Sequence, residues 1–165
     1  MKHTLIIASI DTDDDLARAV LLAADDLARR DNARTHVVGA WPALIGTPAS
    51  PLGPVGALGP VGGEVSQEAV DAYKQSRADH LAKLRAMAAG LPSVAHVAML
   101  DGEPGDAVAR YAGDNNADII VTGSHQRGFW GALFASSSSR DLVREAPCGV
   151  FLVTRPYAEK LLAAV

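Results

Sequence analysis

The sequence contains a single cysteine, Cys148, so a disulfide within the chain is excluded. Aromatic residues make up only 5%, and no basic stripe is interleaved with them, which argues against a nucleic-acid footprint. Fifteen basic against nineteen acidic side chains leave a net charge of −4, with no excess suited to polyanions. Long hydrophobic runs are missing as well. The N-terminal run Leu5 to Ile10 is too short for a signal core or a membrane span, so a cytoplasmic protein with no membrane partner is expected. Several catalytic and cofactor signatures are missing too. Strand 1 leads into Asp11-Thr12-Asp13-Asp14-Asp15 rather than a glycine fingerprint, and those carboxylates would repel a pyrophosphate. There is no GxxxxGK[ST] loop, and Gly123-Ser124-His125 lacks the G-x-S-x-G elbow. The five histidines (His3, His36, His80, His96 and His125) show no paired ligand spacing, so no built-in transition-metal site is expected. Cys148, after Pro147 and before an apolar run, reads as a packed thiol rather than a nucleophile.

What is present suits one globular domain over residues 1–165, with 48% apolar and 21% charged residues. Thr4 to Ile10 is an apolar, β-branched run and predicts strand 1. From Asp13 the period changes: Leu16, Val20, Ala23, Ala24 and Leu27 share a helical face, with Arg18, Asp25 and Arg29 off it. Asp13 to Asp15 are expected in the first helical turn, where the helix dipole favours negative charge. Arg34 to Trp41 predicts strand 2, closed by Pro42. Ala43 to Gly63 carries no charge and is dense in proline and glycine, which suits a mobile lid or a contact surface. A helix is expected from about Ser66 to Ala89, with Val70, Tyr73, Leu81, Leu84 and Ala88 as its stripe and Gly90 and Pro92 as its stop. Val94 to Leu100 reads as strand 3, Asp106 to Gly113 as a short helix, Gly149 to Thr154 as strand 5, and Pro156 opens a helical tail. Strands alternating with helices imply a mostly parallel sheet covered on both faces. Ligands of such sheets collect beyond the C-terminal strand ends, where the strand order reverses.

The segment from Asp118 to Arg140, DIIVTGSHQRGFWGALFASSSSR, carries the most specific signal. Ile119-Ile120-Val121 reads as a strand buried on both faces. Gly123 ends it where a small residue lets the backbone turn or a ligand come close. A polar loop, four serines and a helical pattern from Arg140 follow. That order can cradle an anion at a helix N-terminus, or it can be a plain strand-to-helix connection with a serine cap.

Taken together, LIIASID, the AW closing strand 2, DGEPGDAVARYAGDNNADIIVTGSH and SSSSRDLVREAPCGVFLV resemble the universal stress protein family over nearly the whole chain. The resemblance implies a three-layer α/β/α fold with a five-stranded parallel sheet in order 3-2-1-4-5, of the adenine nucleotide α-hydrolase type. It also implies a homodimer, which we expect to form through strand 5. Many members bind ATP or AMP between strands 1 and 4; others bind no nucleotide and act through protein partners. Asp13 to Asp15 offer carboxylates for Mg²⁺ alongside phosphates, or more simply the charges of a helix start. Carried onto this chain, the implied binding positions are Asp11 and Thr12 after strand 1, Ala40 at the end of strand 2, and Thr122 and Gly123 at the end of strand 4. Gln126, Ser136, Ser137 and Ser138 complete the set. Asp11 can equally cap the next helix through the Asp13 N–H, and Trp41 reads best as a core or rim aromatic.

Binding members carry G-x-x-G, nine residues, then G-[ST] after strand 4. Gly123 matches the first glycine, Gln126 stands in place of the second, Ser136 replaces the third, and Ser137 matches the hydroxyl position. Ser136 is small and keeps donors for a phosphate, whereas Gln126 puts a long side chain where glycine let the backbone approach. His125-Gln126 with Phe129-Trp130 also resembles the non-ATP-binding, A-type branch. Three functions follow: a dimeric stress-response regulator that binds ATP or AMP weakly, a ligand-free protein–protein module, and, as the weakest, a slow ATPase. Only Asp11 or His125 is available as a base for the last.

Overall fold

The computed structural model describes residues 2–41, 66–124 and 146–164. The Pro/Gly-rich stretch 43–63, the loop and serine run after strand 4, and the helix expected from Arg140 lie outside the described residues. Five strands form one parallel sheet: β1 Leu5–Ser9, β2 Arg34–Trp41, β3 Val94–Asp101, β4 Ile119–Gly123 and β5 Gly149–Val153. The order is β3-β2-β1-β4-β5, as the resemblance implied. β1 is central, pairing Leu5 to Ser9 with Arg34 to Val38 on one side and Ile6 to Ser9 with Ile119 to Thr122 on the other.

Strand side chains alternate between the two faces. Ile6, Ala8, Val37, Met99, Val121 and Val153 pack under α1 (Ala17–Asp31), α2 (Gln67–Ala88) and α4 (Arg155–Leu162). Leu5, Ile7, Val38 and Ile120 pack under α3 (Pro104–Asp114), against Val108 and Ala112. Five alanines on the buried side of α1 (Ala17, Ala19, Ala23, Ala24 and Ala28) let that helix lie close on the sheet. Cys148 is half-buried against the α3-side core, and burial, followed by the charge of Asp118, pushes its thiol up. On the same face His36 meets Tyr111 Oη at 3.0 Å, with the His96 ring centroid 5.3 Å away. Burial first, then His96 and Arg34, hold the His36 imidazole below its ordinary value.

Several local expectations need correction. α1 begins at Ala17, not Asp13, and has no acidic residue in its first turn. The aspartates themselves delay it. Asp11 Oδ1 accepts from the Asp13 N–H at 3.0 Å and Asp14 Oδ1 from the Leu16 N–H at 2.8 Å, closing side-chain turns that compete with helix. Asp25, expected off the apolar face, is 5% exposed. It accepts from Ser93 N–H at 3.1 Å and Ser93 Oγ–H at 2.6 Å, and the Ser93 and Thr35 hydroxyls lie 2.9 Å apart. At the other end of α1, Asn32 takes φ 55° and Ala33 N–H reaches the Ala28 carbonyl at 2.8 Å, a left-handed stop. α3 starts two residues earlier than the periodicity suggested, because Pro104 suits the first helical turn. Only the second half of α2 reaches the core: Leu84 and Ala88 are buried, whereas Val70 and Tyr73 at its start are partly exposed.

Asp118 joins β4 to β1. Its Oδ2 accepts from Thr4 N–H at 2.6 Å, Thr4 Oγ1–H at 2.8 Å and Leu5 N–H at 3.0 Å. The Leu5 and Thr4 backbone bonds, then the Thr4 hydroxyl, hold its carboxyl below the usual carboxylate range. A depressed carboxyl stabilises the fold above its unfolded value near 3.8, and that contribution disappears as pH falls through the lower folded value. Wild type is therefore expected to exceed Asp118→Ala by about 1–3 kcal/mol at pH 7, scaled from hydrogen bonds to a charged group. Urea unfolding followed from pH 7 to pH 2 should show that gap closing below about pH 4. A gap independent of pH would mean that the ionised carboxylate contributes nothing.

Candidate functional site

The strand order reverses between β1 and β4, and in sheets of this kind a crevice opens outside the C-terminal ends of the strands at the reversal. A cavity of about 330 Å³ occupies it. That volume lies within the range of small-molecule sites. All five described positions carried over from the family pattern line this cavity: Asp11, Thr12, Ala40, Thr122 and Gly123. Gln126, Ser136, Ser137 and Ser138 lie outside the described residues.

Two glycines of the lining stand where neighbouring atoms approach closely. A Cβ on Gly39 would stand 3.2 Å from Met99 Sδ and 3.5 Å from the Ile10 carbonyl oxygen. A Cβ on Gly123 would stand 3.3 Å from Leu16 Cβ and 3.7 Å from Asp14 Oδ2. Gly123 is not among the glycines with positive φ, so close approach of Leu16 accounts for the residue, not backbone conformation.

The lip is built from the β1–α1 turn and from α2. Asp11, Asp13 and Asp14 line the cavity, and His80 is the one basic side chain among its described lining residues. Lys83 forms an ion pair with Asp13 Oδ1, and His80 Nε2 lies 4.0 Å from Asp13 Oδ2. The Lys83 hydrogen bond and charge, with His80 adding a little, hold the Asp13 carboxyl below its ordinary value. Trp41 is half-buried, its ring centroid 4.3 Å from that of His80 and 6.4 Å from that of Tyr73, which makes it a rim aromatic. Trp41 Nε1 and Thr12 Oγ1 are shielded from solvent and have no hydrogen-bond partner among the described residues.

Mg²⁺ on Asp13 to Asp15 does not fit this arrangement. Asp13 pairs with Lys83, Asp14 closes the turn at Leu16, and Asp15 pairs with Arg155 at 2.9 Å, so the three carboxylates serve different partners. Among the described residues no cluster of three metal-ligating side chains occurs. The cavity has the volume of a small-molecule site, with Gly39, Ala40 and Gly123 among its lining residues.

Sequence reasoning missed His80 and Lys83. Asp13 and Lys83 stand seventy positions apart, and no motif links a helix lysine to a loop carboxylate at that distance. The only available signal was a histidine three residues before a lysine on the outer side of an amphipathic helix, which ordinarily means a solvated face.

A doubly wound parallel sheet with a cavity at its strand-order reversal defines the class of α/β domains that hold small ligands at strand ends. The universal stress protein family model matches residues 4–154, and the chain belongs to that family. It is 39% identical over 79 residues to a universal stress protein encoded in the QAH/OAS sulfhydrylase 3′ region of Thermus aquaticus, a match covering 47% of this chain and 58% of that protein. It is 33% identical over 95 residues to universal stress protein Slr1101 of Synechocystis, covering 56% of this chain and 86% of that one. A universal stress protein solved in complex with cAMP superposes with a TM-score of 0.59 at 16% identity, over 93% of this chain and 98% of that chain, a likeness of fold.

The packing at Gly123 yields a direct test. Gly123→Val should lose about 1–3 kcal/mol by overpacking against Leu16. The urea midpoint should fall with an unchanged slope. A midpoint equal to that of wild type would show that the β1–α1 turn yields freely.

Proposed function

We propose that this protein is a cytoplasmic stress-response regulator that acts as a dimer and binds an adenine nucleotide, ATP or AMP, weakly in the cavity between β1 and β4. The observation that carries this reading is the convergence of Asp11, Thr12, Ala40, Thr122 and Gly123 on one cavity of about 330 Å³ at the strand-order reversal. The relative that holds cAMP lends support, since a purine nucleotide occupies a protein of the same fold. Among the described residues no helix is long and apolar enough to cross a membrane.

Weak rather than tight binding follows from two features. Three carboxylates on the described lip, Asp11, Asp13 and Asp14, disfavour a phosphate there, with Lys83 offsetting only Asp13. Gln126 also replaces a motif glycine. The substitutions at Gln126 and Ser136 favour a second reading, a ligand-free interaction module. Calorimetric titration of wild type and Gln126→Gly with ATP and AMP separates the two. Under the first, wild type binds with Kd between about 1 μM and 1 mM, and Gln126→Gly gains about one to two decades, the release of roughly 1–3 kcal/mol of local strain. No binding heat in either protein would leave the interaction module.

The dimer is assigned to β5, the sheet edge next to β4. Its Val150, Phe151 and Leu152 are half-buried in the chain alone, and Tyr157, stacked edge-on against Phe151, is 39% exposed. A bare apolar edge favours pairing with another strand. Sedimentation should show a dimer at micromolar concentration, and a monomer there overturns the assignment.

A further inference from the structure

We propose that His80 is a specificity-determining residue of the cavity, reading the two vicinal hydroxyls of a ribose together with Asp13. The proposal rests on the adenine-nucleotide reading above and names which part of that ligand the α2 wall recognises.

The argument starts from the tautomer. His80 Nδ1 lies 3.0 Å from the Ser76 carbonyl oxygen, one turn back on α2. A carbonyl only accepts, so Nδ1 carries the proton and donates it. That leaves Nε2 of the neutral ring as an acceptor, and Nε2 is the nitrogen that faces Asp13, 4.0 Å from Oδ2. The Trp41 ring packs against the imidazole, 4.3 Å between centroids. Lys83, one turn further along α2, secures Asp13 through Oδ1 and leaves Oδ2 on the histidine side.

Two acceptors thus stand side by side on the cavity lip, a ring nitrogen and a carboxylate oxygen, too far apart to hydrogen-bond each other. Asp11, also lining the lip, adds a further acceptor-only group. A phosphate brings acceptors and would be opposed here. A cis-diol brings two adjacent O–H donors, the 2′-OH for Nε2 and the 3′-OH for Oδ2. The pairing is selective because a ligand lacking one hydroxyl leaves a polar group of the site without its partner.

The test titrates the full chain at pH 8 with adenosine, 2′-deoxyadenosine and inosine, using wild type, His80→Phe and His80→Gln. Wild type should prefer adenosine to 2′-deoxyadenosine by about tenfold, the size of one hydrogen bond of about 1.4 kcal/mol. His80→Phe keeps a ring against Trp41 but has no acceptor, so its preference should fall to about threefold or less with 2′-deoxyadenosine affinity unchanged. His80→Gln, whose amide oxygen accepts, should retain most of the preference. Equal discrimination in wild type and His80→Phe overturns the proposal. So does an effect of His80→Phe on adenosine against inosine instead, which would place the base amino group at Nε2. If wild type binds none of the three but binds AMP, this inference is overturned and the nucleotide reading stands; if it binds neither nucleoside nor AMP, both fail.

Discussion

The structure depends on the position of β1. It is the first strand of the chain and the central strand of the sheet, buried on both faces and paired on both edges. A strand so placed must grow the sheet outward in two directions, to β2 and β3 on one side and to β4 and β5 on the other. In a sheet of this order a crevice forms outside the C-terminal strand ends where the order reverses, here between β1 and β4. Leu5, Ile6, Ile7 and Ala8 make this placement favourable, since each is at most 5% exposed and none carries a polar side chain.

The two ends of the sheet are handled in opposite ways. At the N-terminal ends, aspartates close the backbone. Asp118 takes the N–H groups of Thr4 and Leu5, Asp31 takes that of His3 at 3.0 Å, and Asp25 takes that of Ser93. Each satisfies donors that a strand start would otherwise leave unpaired. At the C-terminal ends the aspartates Asp11, Asp13 and Asp14 instead surround a cavity, and Lys83 from α2 offsets part of their charge. The same residue type seals one end of the sheet and lines an opening at the other, because the winding reverses only above the C-terminal ends.

α2 couples the cavity to the core. Its second half is anchored by Leu84 and Ala88, while its outward side carries His80 and Lys83 toward the β1–α1 turn. Arg77 on the same helix grips β3, with Nη2 2.9 Å from the Met99 carbonyl and Nε 2.9 Å from Asp101 Oδ1. The polar residues of this helix therefore hold the cavity wall in register with the strand ends.

Much of the fold was legible in the residues. The β-branched runs, the glycine and proline stops and the changes of period placed five strands and four of the helices, because burial on both faces imposes continuous apolar runs on parallel strands. The strand order came with the family resemblance, since alternation alone does not order a sheet. Where local reading failed, a side chain had a partner far along the chain or competed with its own backbone. Asp25 looked solvent-facing because Ser93, which completes its hydrogen bonds, is 68 positions away. Asp13 to Asp15 looked like a helix start because the dipole argument ignores the turns their neighbours close. By itself, then, the sequence determined the described strands and helices to within a few residues and, through its motifs, the family, because those follow from local hydrophobic pattern and motif. Only the tertiary structure decided that α2 brings a histidine to the cavity and a lysine to its Asp13, because that juxtaposition depends on how a helix crosses the sheet.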